Sequence, residues 1–271
     1  ILFSALVLNM GLLLGRMSGF LREAIVAATY GVSIQSDIVV LMLTVPDLLA
    51  SILAGGAMGA VLTPEFSSNS KSSNKLLIQA LVFFGCIFLL VSGGLYWYSY
   101  ALAEFFAPGL SEVQIFEVSI ALEWVIWLMP LTVLAGIMTA FLHFKNKFFI
   151  ASLGTLILNS SIIVGLLLVF LGYGSLVWVA VFVLIGGLLR LVSQIISAKI
   201  SLDVPYLFKP LLVNKRILWH FVQALGSGGM LMLIPIFART ISSYFGEGSI
   251  AIMNYTTKLI DFPLAVAITI F

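Results

Sequence analysis

Long stretches of this chain carry apolar side chains at nearly every position, and short polar breaks separate them. The apolar runs fall at roughly 3–29, 38–64, 76–103, 114–142, 148–171, 175–200, 217–245 and 249–271. A helix that crosses the hydrocarbon core of a bilayer needs about 20 mostly apolar residues and satisfies its backbone groups internally. The pattern therefore predicts an all-α, polytopic membrane protein with eight transmembrane helices, seven complete and the last cut short. A membrane β-barrel would alternate apolar and polar positions over about ten residues per strand, and the run from Ile162 to Leu171 does not alternate. Because the chain starts at Ile1 and stops at Phe271 inside an apolar run, it reads as a piece of a longer polypeptide.

Composition narrows the class further. Of the 271 residues, 62% are hydrophobic and 9% charged, against about 25% charged in an ordinary soluble domain. So few charged side chains cannot cover the surface of a water-soluble globule of this size. The 13 Lys and Arg against 11 Asp and Glu leave a net charge of +2, with no basic patch of the kind a nucleic-acid binder needs. Cys86, the single cysteine, excludes a disulfide framework and a cysteine-based metal cluster.

The basic residues are distributed unevenly. Lys71 and Lys75 follow the second run, Lys145 and Lys147 the fourth, and Lys199, Lys209, Lys215 and Arg216 the sixth. The opposite breaks, around 31–36, 107–111, 172–174 and 246–249, contain no Lys or Arg. By the positive-inside rule the N-terminus and the even-numbered breaks are cytoplasmic. Tyr96, Trp97, Tyr98 and Tyr100 then end the third run on the outer side as an aromatic belt, with Tyr173 and Trp178 at the same level.

Five cations remain inside apolar runs: Arg16, Arg22, Arg190, Arg239 and Lys258. A charge held in a span costs about 2.5–3.5 kcal/mol on insertion scales, so such residues usually face a polar lumen or a partner. Arg190 lies towards the cytoplasmic end of its run, where a long side chain can instead reach the headgroups. Arg16 and Arg22 lie too deep for that and are read as lumen groups. Lys258 stands three residues before Asp261, close enough on a helix for the two to neutralise each other. Glu23 and Asp37 are read as further cavity acids or counter-ions for the arginines.

Gly11, Gly15 and Gly19 recur every fourth residue, and Gly55 with Gly59 repeats the spacing, a pattern that lets helices approach closely. Gly19 beside Ser18 could also soften its helix as a hinge. Pro46, Pro130, Pro235 and Pro263 lie inside runs and are expected to kink helices, Pro46 and Pro263 being the hinge positions of interest. At a constant offset of 217 residues Arg22 falls on Arg239, Gly31 on Gly248 and Pro46 on Pro263. An offset that spans six helices implies a parallel repeat, as between the halves of some transporters. The expected organisation is a six-helix N-terminal lobe over 1–201, a basic cytoplasmic linker over 202–216, and the start of a second lobe over 217–271.

Enzyme signatures are scarce. His143 and His220 have no partner at metal-ligand spacing, and there is no P-loop, dinucleotide fingerprint or H-E-x-x-H. The expectation is a non-enzyme with no catalytic residue, no metal and no cofactor. A cationic lumen without a fuel-binding domain points to a carrier of something anionic.

At this point specific residues resemble a known family. Gly15-Arg16-Met17-Ser18-Gly19-Phe20-Leu21-Arg22-Glu23-Ala24-Ile25-Val26-Ala27 is similar to the first-helix signature S-R-x-x-G-x-x-R-[DE]-x-x-x-A of the MurJ (MviN) lipid II flippases. Asp37, Pro46-Asp47-Leu48-Leu49 and Ala54-Gly55-Gly56-Ala57 sit where that family has D-A, P-N-L-L and A-E-G-A. Phe144-Lys145-Asn146-Lys147-Phe148 and Leu158-Asn159 look like its fourth-to-fifth helix segment. Tyr255-Thr256-Thr257-Lys258-Leu259-Ile260-Asp261-Phe262-Pro263 resembles its Y-A-D-R-L-x-E-F-P.

The resemblance implies a MATE-like exporter with two six-helix lobes around a central cavity, in the bacterial cytoplasmic (inner) membrane. It implies that the undecaprenyl-pyrophosphate-linked peptidoglycan precursor, lipid II, moves from the inner to the outer leaflet by alternating access. Arg16, Arg22, Lys258 and Arg239 would bind the substrate, with Asp37 and Asp261 as nearby acids. Membrane lipid and cell-wall synthesis proteins are the expected partners. Forked guanidinium groups suit phosphate oxygens, and no covalent step is needed. The chain departs from the family at Ala50 and Ser51, which stand in place of two arginines, at Gly55, which replaces an acid, and at Thr44, whose place is often basic. Those losses leave open a flippase for an O-antigen or exopolysaccharide precursor, or a non-transporting scaffold in which the arginines only brace helices.

Overall fold

The computed structural model describes residues 2–54, 57–68, 70–200 and 215–270. Among the described residues there are eleven α-helices and no strand. They are α1 (Leu2–Tyr30), α2 (Ile34–Ala54), α3 (Ala57–Ser68), α4 (Ser73–Trp97), α5 (Ser99–Phe106), α6 (Glu112–Val125), α7 (Leu128–Phe144), α8 (Phe148–Phe170), α9 (Leu176–Ala198), α10 (Lys215–Ser242) and α11 (Ser249–Ile270). Each apolar run of the sequence coincides with one helix or with a consecutive pair, α2 with α3, α4 with α5, and α6 with α7. By length and composition alone, segments Ile34–Ser51, Ser70–Trp97, Phe148–Phe170 and Leu176–Ala198 suffice to cross a membrane, and the bent pair α6–α7 makes a fifth.

The bend between α6 and α7 is 40° and has an identifiable cause. Pro130 would clash with the carbonyl four residues earlier, that of Ile126, and brings no N–H of its own. The helix breaks at that carbonyl, which accepts instead from Met129 N at 3.1 Å and from the Ser92 hydroxyl at 3.3 Å. By contrast α2, α10 and α11 each run on as one helix through Pro46, Pro235 and Pro263.

The glycine spacing in α1 is a packing surface. α1 lies along α8, where Gly11, Gly15 and Gly19 meet Ser152, Thr155 and Asn159 in turn. A side chain on Gly11 would collide with the Ser152 hydroxyl, and a Cβ on Gly15 or Gly19 would fall 3.3 Å from Thr155 or Asn159. α1 runs unbroken through Gly19, so here the residue serves close approach. In the second pair, Gly59 faces open space and Gly55 lies outside the described residues.

α8 packs against α9, and α9 against α7, again through glycines: Gly165 abuts Phe182, Gly186 abuts Ser161, and Gly187 abuts Leu128. Two hydrophobic clusters result. One gathers Val26, Ile38, Leu122, Val179, Ile236 and Ile250 at one end of the bundle. The other gathers Phe66, Leu77, Phe84, Met138, Phe141 and Ile217 at the opposite end.

α10 and α11 lie against this body, α10 across α2 and α3 and α11 along α1 and α2. The corner from α1 to α2 and the corner from α10 to α11 are built alike. Gly31 (φ 59°) and Gly248 (φ 80°) both take the left-handed backbone that L side chains avoid. The corners touch, since a Cβ on Gly248 would lie 2.9 Å from Ser33 N. Gly31 and Gly248 are the two glycines that the 217-residue offset superposes. Of the expected linker over 202–216, residues up to 214 lie outside the described ones, and Lys215 and Arg216 open α10.

Candidate functional site

Between α1, α2, α8, α9 and α11 lies a partly open cavity of about 490 Å³. Its lining includes Arg16, Arg22, Arg190 and Lys258 against Asp47 and Asp261, with Asn159 and Phe20. A second space of about 430 Å³ adjoins it between α2, α10 and α11, shares Arg22, Asp47, Lys258 and Asp261, and adds Thr44, Ser51, Arg239 and Asn254. The five cations that the sequence leaves inside apolar runs thus line one connected polar interior, although they stand on four different helices.

Arg22 is the most firmly placed. Its Nη1 donates to Asn159 Oδ1 at 3.0 Å and its Nη2 pairs with Glu23 Oε1 at 2.5 Å. Asn159 is itself fixed, because its Nδ2 donates to Gly15 O and to Ser18 Oγ. Glu23 is buried, and its second oxygen accepts from Asn254 Nδ2 at 2.8 Å. Asn254 Oδ1 accepts in turn from Arg239 Nη2 at 3.4 Å, while Arg239 Nη1 donates to Pro235 O. One polar chain, Asn159–Arg22–Glu23–Asn254–Arg239, therefore runs from α8 through α1 and α11 to α10. Such chained bonds fix side-chain direction more firmly than isolated pairs do.

Even so, the guanidinium groups are incompletely satisfied. The Nε atoms of Arg22, Arg190 and Arg239 are buried and have no hydrogen-bond partner among the described residues. A buried, unpaired donor costs about 1–3 kcal/mol, more when charged. Lys258 and Asp261 both line the cavity, yet among the described residues they form no ion pair with each other. Phe20 stacks on Phe262, ring centroids 4.4 Å apart, where α1 meets α11 beside the cavity.

Sequence reasoning placed some residues differently. Asp37 lines neither space and is bonded to no arginine. Its two carboxylate oxygens accept from Gly248 N and Ala251 N, each at 2.7 Å, so it caps the N-terminus of α11. Spacing alone cannot show this, because the partner backbone is more than two hundred residues away. Arg190 does not reach along α9 towards the headgroups. It crosses Gly154 of α8, where an added Cβ would lie 2.9 Å from its Nε, and enters the cavity. Asp47, Asn159 and Asn254 were not singled out as site residues. A signal for Arg190 did exist: Gly186, Arg190 and the fully buried Gln194 share one helical face, which therefore points inward.

Fold and site together define a polytopic helical membrane protein with five cations and two carboxylates lining its interior spaces. The family model "Lipid II flippase MurJ" matches residues 26–271. Among curated proteins, the chain is 25% identical to the probable lipid II flippase MurJ of Aquifex aeolicus over 97% of its own length and 53% of the relative's. It is 27% identical to that of Rickettsia prowazekii, over 99% and 54% respectively. Among solved structures, the fold matches a lipid II flippase MurJ in an inward closed conformation with a TM-score of 0.77 at 22% identity, covering 96% of this chain and 56% of that one. It also matches a MOP superfamily transporter of Pyrococcus furiosus with a TM-score of 0.68 at 13% identity, covering 86% and 54%. The chain belongs to the lipid II flippase MurJ family. It spans about half the length of the curated relatives it matches.

Proposed function

We propose that this protein moves lipid II from the inner to the outer leaflet of the bacterial cytoplasmic membrane by alternating access. The observation that carries the reading is the convergence of Arg16, Arg22, Arg190, Arg239 and Lys258 on one interior whose lining acids, among the described residues, are Asp47 and Asp261. A pyrophosphate head group with two or more negative charges cannot cross hydrocarbon alone, whereas forked N–H donors in a low-dielectric cavity replace its water. The polyprenyl tail stays in lipid meanwhile. Translocation makes and breaks no covalent bond, so neither a catalytic residue nor a cofactor is assigned.

In this reading helices α1–α9 form the first lobe and α10–α11 begin the second, with the N-terminus and the Lys-rich breaks in the cytoplasm. The end at which Asp37 caps α11 then faces outward. There Ser243 Oγ accepts from Gly109 N, and Gln114 Nε2 donates to Glu247 Oε1 at 2.7 Å. Arg16, Arg22, Arg239 and Lys258 contact the substrate, with Glu23 and Asp261 as their counter-charges. Pro46 and Pro263, which remove a backbone bond at matching places in α2 and α11, are the proposed hinges.

The test is complementation. The full-length protein, produced in bacteria depleted of their own lipid II flippase, is expected to restore lipid II exposure on the outer leaflet. A second reading, a flippase for another undecaprenyl-pyrophosphate-linked glycan, is favoured by Ala50 and Ser51 in place of family arginines. Failure to restore exposure at normal membrane levels would select it.

A further inference from the structure

Two charged residues of the cavity lie outside the set that the family resemblance assigns: Asp47 on α2 and Arg190 on α9. Both line the larger space, and Asp47 also lines the smaller one. The Arg190 side chain is directed by its surroundings. Gly154 leaves a trough across α8 in which the Arg190 stem lies, with Cγ and Nε at 3.2 and 2.9 Å from the position a Cβ would occupy. Gln194, one turn further along α9 on the same face, is tied to Thr139 of α7 at 3.0 Å. The guanidinium is thereby aimed inward, and its buried Nε–H has no acceptor among the described residues.

Asp47 supplies the charge that this guanidinium faces. Asp47, Arg22, Arg190 and Lys258 line the same space, so this carboxylate stands among three cations from α1, α9 and α11. Yet among the described residues it closes an ion pair with none of them. One carboxylate shared among three cations offsets their mutual repulsion without occupying the donors of any one. An incoming phosphate can then displace it at little cost, whereas a closed bidentate pair would have to be broken first.

Resting on the reading of the cavity as a site for a lipid-linked pyrophosphate, we propose that Arg190 is a further substrate-contact residue and that Asp47 is its exchangeable counter-charge. Asp47 holds the cations together in the empty cavity and repels the bound head group, which weakens binding and favours release. Affinity and turnover are thus set against each other by a single carboxylate at a position where the family has asparagine.

The experiment measures binding of undecaprenyl pyrophosphate and, separately, of lipid II to the purified full-length protein in detergent. Arg190→Ala is expected to weaken undecaprenyl pyrophosphate binding about tenfold or more, the scale of one lost charge-assisted contact. Arg190→Lys should recover part of that loss. Asp47→Asn should change affinity in the opposite direction, tightening binding several-fold while slowing lipid II translocation. A purely structural Asp47–Arg190 pair would weaken binding whichever member is altered, and that result overturns the proposal, as does unchanged affinity in Arg190→Ala. If undecaprenyl pyrophosphate binds in an Arg190-dependent way but lipid II does not, the lipid II reading falls and the assignment of Arg190 stands. If Arg16→Ala with Arg22→Ala abolishes binding of both ligands while Arg190→Ala changes neither, the reverse holds. Absence of binding to the unaltered protein overturns both.

Discussion

Two aspartates stand ten residues apart on α2 and live in opposite surroundings. Asp37 is fully buried and takes two short backbone hydrogen bonds from the first turn of α11. Asp47 lies among Arg22, Arg190 and Lys258 without closing a pair. The first carboxylate is fully used by the fold and acts as a joint between α2 and α11. The second is left underused, which is the condition a binding site needs. α11 repeats the contrast along its own length, since it is anchored at Gly248 and Ala251 and presents Lys258 and Asp261 to a cavity three turns later. The same pair of helices therefore supplies both a fixed contact and an exchangeable one.

That contrast can be broken from either side. The largest effect is expected at the exchangeable side: Arg16→Ala combined with Arg22→Ala removes two charge-assisted contacts of about 1.5–3 kcal/mol each. Leaflet exposure of lipid II should fall on the order of 100-fold or more, with normal membrane levels of the protein. At the fixed side, Asp37→Ala leaves the N–H groups of Gly248 and Ala251 without their acceptor and should cost about 3 kcal/mol of stability. Thermal unfolding in detergent would show the loss, and Asp37→Asn, which retains one acceptor oxygen, should show roughly half of it. Removal of the Glu23 charge acts on both sides at once. Glu23→Gln keeps one acceptor oxygen, so either Asn254 Nδ2 or Arg22 Nη2 faces an amide NH2 and loses its acceptor, for an expected cost of about 2 kcal/mol and a measurable loss of transport.

Glycine substitutions provide the smallest, sharpest comparison. Gly11→Val should separate α1 from α8 and destabilise by about 1–3 kcal/mol through overpacking. Gly59→Ala faces open space and should stay within about 0.5 kcal/mol of the parent or slightly above it, since alanine favours the helix. Equal effects at the two positions would refute the packing account of the α1 glycines.

Particular residues show why some features were legible beforehand. Spans are a local property, because a helix in lipid satisfies its own backbone and needs only enough consecutive apolar side chains. The break at Ile126–Trp127 follows from Pro130 in the same way. The glycines of α1 and the Arg22–Glu23 neighbourhood announced themselves by spacing and by the cost of buried charge. Asp37 could not be read this way, because what distinguishes it from Asp47 is the arrival of α11 from the other end of the chain.

The amino-acid sequence by itself determined the class of solvent, the runs that become helices, the five cations that cannot face lipid and the glycine face that packs. Each follows from the transfer free energy of side chains taken one at a time or at fixed helical spacing. Only the tertiary structure decided which charges meet. It carried Arg190 across Gly154 into the cavity, gave Asp37 to a helix end, linked Arg22 to Arg239 through Glu23 and Asn254, and left Asp47 shared among three cations. Coulomb and hydrogen-bond energies depend on distances between residues far apart in sequence, and folding alone sets those distances.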